Sequence, residues 1–503
     1  MARLRHFLGL AVSVVAAAIL ATSSVAARQS PKTPRHTFKP ASPLVNQGAD
    51  KTERAEVDVP LTLADAVSLA LRDNRTIRGA YLDRIIQKFD LRVAEDGFAS
   101  HLGLAGGAVR QRIAGINTTA LEVSPGITAL LPTGATLGFS WANRTAESPG
   151  LRTRSTAGVL SLTQPLLRGG GVDVTLAPVR SARLGERINQ LRLKATVSET
   201  IGQVIYAYRD LLRAQEDARL AQAAVERAEE LRDINRSLIA AGRMPEVDIV
   251  QTEADLENQR LRVLEATRAH DGARLHLLDL LALDLGTRIN ARESTEPVQV
   301  TAHVPHLMRV ALAQRPDYLG QLLVIEQGKL GLVVAENERL WDLSVFATRS
   351  FGRTTNEGPR ASGTSLSDVT VGLAFNAPLN DLRREQPYIQ ATTGLKSAEL
   401  QLETIRQGIE LQVRGSASDI AIRWRQLEGA RRARDLAARS VEIEREKLKA
   451  GRSANYQVRA LEAYLRAAES QQLDARIGYL NALTLLDLQL GTTLETWHIA
   501  LRD

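Results

Sequence analysis

The chain has no cysteine among its 503 residues. That excludes a disulfide scaffold, a thiolate metal centre and an N-terminal cysteine-linked lipid anchor. Aromatic residues are scarce as well, at 4%. So few large rings cannot fill a thick globular core, but they suit extended helices rich in Ala, Leu, Arg and Glu. Charge of one sign does not dominate locally: the formal net charge is +7, spread along the chain. Dispersed basic residues of this kind are a solvated surface, and nucleic acid is not expected as a partner. Long apolar runs are missing too, with one exception. Phe7 to Leu20 follows Arg3 and Arg5 and precedes small residues ending in Val25-Ala26-Ala27. Such a stretch is short for a membrane-spanning helix and has the layout of a secretory signal peptide, residues 1–27.

Residues 28–60 are rich in Pro, Ser, Thr, Lys and Arg without periodicity, which reads as a disordered leader. Beyond it the chain repeats itself. Ala241-Gly242-Arg243 and Ala450-Gly451-Arg452 stand 209 positions apart, and Glu253-Ala254 and Glu462-Ala463 keep that spacing. Leu285-Gly286-Thr287 echoes Leu490-Gly491-Thr492 at a slipped spacing of 205. A repeat this long fixes the architecture before any residue chemistry is considered. The first unit is residues 61–291, the linker 292–303, the second unit 304–496 and the tail 497–503.

In both units a glycine interrupts long helical periodicity. Ile249, Leu256 and Val263 are spaced by heptads after the first interruption, and Val458 and Leu465 after the second. Glycine accepts the left-handed backbone that ends a helix, and Pro245 suits the first turn of the next. Each unit therefore predicts an antiparallel helical hairpin, with tips near 242 and 451. A helix from about Arg180 to Ala241 would be some 90 Å long, a length hard to explain in a compact enzyme.

Ahead of each hairpin the period changes to two. Leu137, Phe139 and Trp141 share a face opposite Thr136, Gly138 and Ser140, in a first β region over 99–165. Val369, Val371, Leu373 and Phe375 do the same in a second over 341–378. Alternation over this length is that of strands facing lipid on one side and a lumen on the other. The first region holds 28 extra residues between Ala114 and Arg152, enough for an additional hairpin. Two strands per unit give four core strands per chain, too few to close a barrel, so copies must share one.

The order of these features resembles the TolC family of outer-membrane efflux and secretion proteins. The segment Ser161-Leu162-Thr163-Gln164-Pro165-Leu166-Leu167-Arg168-Gly169-Gly170-Gly171 and the tip pattern Gly242, Pro245, Asp248, Ile249 carry the likeness. The second tip reads Gly451, Ala454, Gln457, Val458, without the acid. The resemblance implies a mixed α+β membrane protein: a homotrimer with a 12-stranded β-barrel, four strands per chain, in outer-membrane lipid. An α-helical coiled-coil tunnel would continue it through the periplasm. It further implies export together with a periplasmic membrane-fusion adaptor and an inner-membrane pump of RND or ABC type. Gly242, Arg243 and Pro245 and, in the second copy, Gly451 and Arg452 would mark the adaptor-docking tips. The family's acids at the constriction are replaced here by Gln457 and Ala460. An exported periplasmic coiled-coil scaffold or adaptor without a barrel is the competing class; it leaves the paired strands unexplained.

Other chemistry is thin. Gly169-Gly170-Gly171 lacks the Gly-Lys-Ser/Thr of a phosphate loop and reads as a flexible strand-to-helix junction. His303 and His306 would be half a metal site at most. No catalytic constellation, metal site or cofactor is expected, and the chain is not expected to be an enzyme.

Overall fold

The computed structural model describes residues 59–113, 115–292, 296–358 and 361–501. The signal peptide and all but the last two residues of the leader lie outside the described residues. Those two, Val59 and Pro60, are not leader but strand: β1 (Val59–Leu61) pairs in parallel with β6 (Ile289–Ala291). Tyr208 secures the pair by donating its hydroxyl to the Leu61 carbonyl at 3.0 Å.

Helix α1 (Leu63–Asp73) starts at a capping box, with the Asp65 amide donating to the Thr62 hydroxyl at 3.2 Å. Asn74 then caps α2 (Arg75–Asp96), accepting from the amides of Thr76 and Ile77. The four strands β2 (His101–Ile113), β3 (Ile116–Leu130), β4 (Thr136–Ser148) and β5 (Leu151–Pro165) follow as a meander. The 64-residue α3 (Ala177–Ala240) and α4 (Val247–Leu280) form the first hairpin. The second unit repeats the plan with α5 (Val304–Gln314), α6 (Pro316–Glu338), β7 (Asp342–Glu357) and β8 (Ser362–Asn376). It ends in the 65-residue α7 (Glu385–Lys449) and α8 (Asn455–Leu490).

All six long strands join one antiparallel sheet in the order β2-β3-β4-β5-β7-β8. The expected four strands per chain are therefore six. The 28 extra residues supply the difference as a complete pair of full-length strands, continuous with the rest. The junction after β5 is also firmer than its glycines imply. Asn337 accepts from the Gly169 amide at 2.7 Å and donates to the Leu167 carbonyl, pinning the segment to α6.

The helices owe their length to lateral support rather than to propensity. One core joins α1, α3, α4 and α8 through Ala66, Tyr208, Leu211, Leu277 and Ile477. A second joins α5, α7 and α8 through Ala311, Ile409, Ile420, Leu427 and Tyr479. Residues of the tail are packed as well: Trp497, Ile499 and Leu501 lie against Val197, Ile201 and Ile205. The two α-arms end alike, and the first ends ahead of the Gly286 echo. Ala282, not Gly286, adopts the positive φ after α4, and Gly491 adopts it after α8. Ala282 and Gly491 are 209 positions apart, as Gly242 and Gly451 are, so the returning arms match in length. The spacing slips to 205 in the sequence because an alanine occupies the position where a glycine is the usual signal.

Helix α2 is bolted to the start of α3 by an ion pair between Arg84 and Glu186, with side-chain exposures of 5% and 13%. Hydrogen bonding from Arg84 holds the Glu186 carboxyl below its ordinary value of 4.5. The lowered pKa means that the stability is complete above that value and lost as pH falls through the folded one. Glu186→Gln is expected to cost on the order of 3 kcal/mol at pH 7, because it strands a buried guanidinium. Melting curves recorded from pH 7 to pH 3 test this: the gap from the unsubstituted protein should close toward the acid end, and a constant gap refutes the role of the charge.

Candidate functional site

Two regions gather the residues singled out in the sequence. The first is one face of the sheet. Register places Phe139 opposite Ile127 on one side and Leu160 on the other, and Leu137 opposite Ala129 and Leu162. Leu162 pairs with Ala347, and Ala347 with Val371. Leu373 pairs with Val345, Phe375 with Leu343 and Val369 with Arg349. Cross-strand partners share a face, so Leu137, Phe139, Trp141, Val369, Val371, Leu373 and Phe375 all lie on the same side. They are open to solvent in the single chain, Leu373 at 71%. Trp141 and Phe351 pack on each other at 5.9 Å over Gly158, where a Cβ would meet the Phe351 ring.

Apolar neighbours missed in the sequence extend this face across the rest of the sheet: Leu102 and Leu104 on β2, and Leu121, Val123 and Ile127 on β3. Strict alternation was the signal that would have found them, but glycine and alanine dilute it on β2 and Pro125 interrupts it on β3. The opposite face is small and polar: Ser140, Ser161, Thr348 and Thr370, with Glu122 opposite Arg144. Gly372 lies on that polar face without being open, because a Cβ there would stand 2.6 Å from the Phe346 ring.

The second region is the pair of helical turns. After α3, the Gly242 amide donates to the Ile239 carbonyl and the Arg243 amide to the Leu238 carbonyl, both at 2.9 Å. After α7, Gly451 donates to Leu448 and Arg452 to Lys447, at 2.9 and 2.8 Å. This pairing satisfies the last carbonyls of each helix and requires left-handed backbone at the glycine, with φ of 68° and 72°. Nothing lies within 4 Å of a Cβ added at either position. Pro245 stands just ahead of α4 rather than in its first turn, and its carbonyl accepts from the Asp248 amide at 3.1 Å; Ala454 caps α8, where the Gln457 side chain accepts from the Ser453 hydroxyl at 2.9 Å. Ile249 is half-buried, while Val458 is fully buried.

The two tips touch. Leu231, Leu448 and Val458 form one small core with Ile234, Leu238 and Met244. Beside it lies a buried polar knot absent from the sequence reading. Thr252 accepts from the Asn235 amide at 2.9 Å and from the Asn455 amide at 3.1 Å, and donates to the Asp248 carbonyl at 3.0 Å. Asn235, Thr252 and Asn455 come from both units, so this hydroxyl ties the hairpins together. Farther along the arms, Glu462 lies between Arg227 at 3.3 Å and Arg445 at 2.5 Å and is itself buried. Thr252→Val leaves two buried amides without an acceptor, an expected loss of about 1–3 kcal/mol for each. Faster amide exchange over residues 235–255, with the sheet unchanged, is the expected result; unaltered exchange at the tip contradicts the assignment.

Among the described residues no helix is long and apolar enough to cross a membrane, and no group of three His, Asp or Glu side chains is placed to hold a metal.

Comparison with known proteins agrees with this geometry. Residues 128–283 match the family described as outer membrane efflux protein. No curated protein sequence matches the chain. Solved structures do. The CmeC outer membrane channel of Campylobacter jejuni has a TM-score of 0.65 at 16% identity, covering 85% of each chain. The outer membrane protein VceC of Vibrio cholerae has a TM-score of 0.65 at 13% identity, covering 85% of this chain and 96% of its own. The open state of the MtrE outer membrane channel of Neisseria gonorrhoeae has a TM-score of 0.63 at 15% identity, covering 85% and 88%. Residues 128–283 are thus similar to the outer membrane efflux proteins, and the chain has the fold seen in the solved CmeC and VceC structures.

Proposed function

We propose that three copies of the chain form an outer-membrane channel for a tripartite efflux or type I secretion system. The barrel spans the outer membrane, and the helical arms extend its lumen into the periplasm. A membrane-fusion adaptor and an inner-membrane pump of RND or ABC type deliver substrate at the far end. One observation carries this reading: a sheet with one largely apolar face, interrupted at Arg349, is joined to helical arms of 64 and 65 residues. At 1.5 Å per residue each arm is about 95 Å long, the scale of a conduit. The sheet leaves two edge strands unpaired and its apolar side uncovered, a combination stable in lipid only after closure with other copies. A periplasmic scaffold would need neither feature.

The test is fractionation followed by mass measurement in mild detergent and planar-bilayer recording. A trimer from the outer membrane that conducts in discrete steps is expected. A folded monomer with its full sheet content overturns the proposal.

A further inference from the structure

The strand count carries a consequence for how copies meet. In the single chain the outer edge of β4 is already taken: β3 pairs with it from Thr119 to Val123 and again from Gly126 to Leu130. The gap falls at Ser124 and Pro125, where proline has no amide to give. Beyond β3 lies β2, paired along its whole length from His101 to Ile113. The free edges are therefore β2 and β8. Six antiparallel strands leave these two running in opposite directions, so a β2 edge can pair antiparallel with the β8 edge of another copy.

The slant of the apolar face indicates whether β2 and β3 belong to the same wall. The line of partners through Leu137 runs to Leu162, Ala347 and Val371 on one side and to Ala129 on the other. A belt at right angles to the strands would stay on that line. Instead, on β8 it reaches from Val369 past the line to Phe375, toward the helical side. On β3 it lies the other way, from Ile127 to Leu121. Between β3 and β8 the drift is about one and a half residues per strand step, or roughly 5 Å along the strand for each 4.8 Å across, which corresponds to a tilt of about 45°. That is the tilt of strands in a closed membrane barrel.

Arginines beyond the belt are level from β2 to β5 and step toward the helices from β5 to β7. Arg110 on β2 lies on the partner line of Arg152 through Thr119 and Glu147. Arg154 on β5 is two residues nearer the helices, and Arg353 on β7, two residues from the Arg154 partner Thr355, is two nearer again. The apolar band thus slants from β8 to β3 and runs on level into β2, where Leu102 pairs with Ile127.

We infer that β2 and β3 are wall strands and that the β2 edge of each copy pairs with the β8 edge of the next. Three copies then close an eighteen-stranded barrel instead of a twelve-stranded one. This inference rests on the trimeric channel reading. Barrel diameter grows about linearly with strand number, so the lumen at the membrane is about one and a half times as wide as twelve strands would make it. The slant also sets the seam: carried one step past β8, the belt brings Leu104 of one copy beside Leu373 or Phe375 of its neighbour.

The absence of native cysteine makes the seam directly testable. Three double variants are oxidised in intact outer membranes: Leu104→Cys with Leu373→Cys, Leu104→Cys with Phe375→Cys, and Phe139→Cys with Leu373→Cys. One of the first two should give a reducible ladder of dimer and trimer, and the third none. A ladder from the third pair alone places β4 at the seam and overturns the eighteen-stranded wall while leaving the channel reading intact. A monomer in mild detergent with no cross-link from any pair removes both. Electron cryomicroscopy of the unsubstituted trimer supplies an independent count, with eighteen strands expected and twelve overturning the inference.

Discussion

Gly242→Trp and Gly451→Trp are each expected to abolish export while leaving the trimer and its sheet intact. Either substitution forces a bulky residue into left-handed backbone, at about 1–2 kcal/mol. That is small beside the packing of Leu231, Leu448 and Val458 just behind the tips. Nothing crowds the added side chain, since both positions face open space. The cost falls instead on whatever docks there. A partner hairpin approaching the turn meets an indole where it would have met backbone and the neighbouring Arg243 or Arg452. The measurement is substrate resistance or secretion in cells lacking the native channel, with in vivo cross-linking to the adaptor read in parallel. Full export by both variants removes the docking assignment. The same surface bears on ion block. Asp248 supplies an acid at the first tip, but Gln457 stands at the matching place in the second. Block of the closed channel by multivalent cations in bilayers is therefore expected to be weak. Tight block would place an acidic ring elsewhere along the conduit.

The second large effect is expected on the sheet. Val371→Arg places a charge near the middle of the apolar belt, opposite Ala347. A lipid-facing arginine at mid-membrane costs about 2–4 kcal/mol, and the trimer carries it three times. Yield of assembled trimer in the outer membrane should fall at least about tenfold, each 1.4 kcal/mol being a factor of ten. Thr370→Arg is the matched control on the small, polar face, where it should leave yield within about twofold. Gly372 would be a poor control despite its position on that face, because Phe346 occupies the space. Equal losses at Val371 and Thr370 would reject the assignment of faces.

The architecture was legible in the sequence where chemistry repeats. Heptad-spaced Ile249, Leu256 and Val263 and the paired Gly-Arg turns need no tertiary context, and neither does the alternation from Val369 to Phe375. The strand count was less legible. On β2, Gly103, Gly106 and Gly107 thin the two-residue period, and on β3 Pro125 sits where an interior strand rarely tolerates it. Only pairing with neighbouring strands makes these two recognisable. The Asn235–Thr252–Asn455 knot lay further out of reach, since its members are far apart in sequence and polar residues in a helix are ordinarily solvated. The end of α4 carries no glycine signal, because Ala282 takes the backbone conformation that glycine usually marks.

The ladder between β5 and β7 joins Pro165 to Ser344 and Arg152 to Glu357. The whole first helical hairpin lies between those partners in the chain. A contact of such long sequence separation forms slowly, because a large loop must close before any pairing rewards it. The β2–β5 meander, by contrast, is local and can form as soon as its residues leave the export machinery. Between the two events Leu102, Leu104, Phe139 and Trp141 face water on a sheet open at both edges. Biogenesis thus has a vulnerable interval, in which a periplasmic holding factor or rapid pairing of the helices decides between assembly and aggregation.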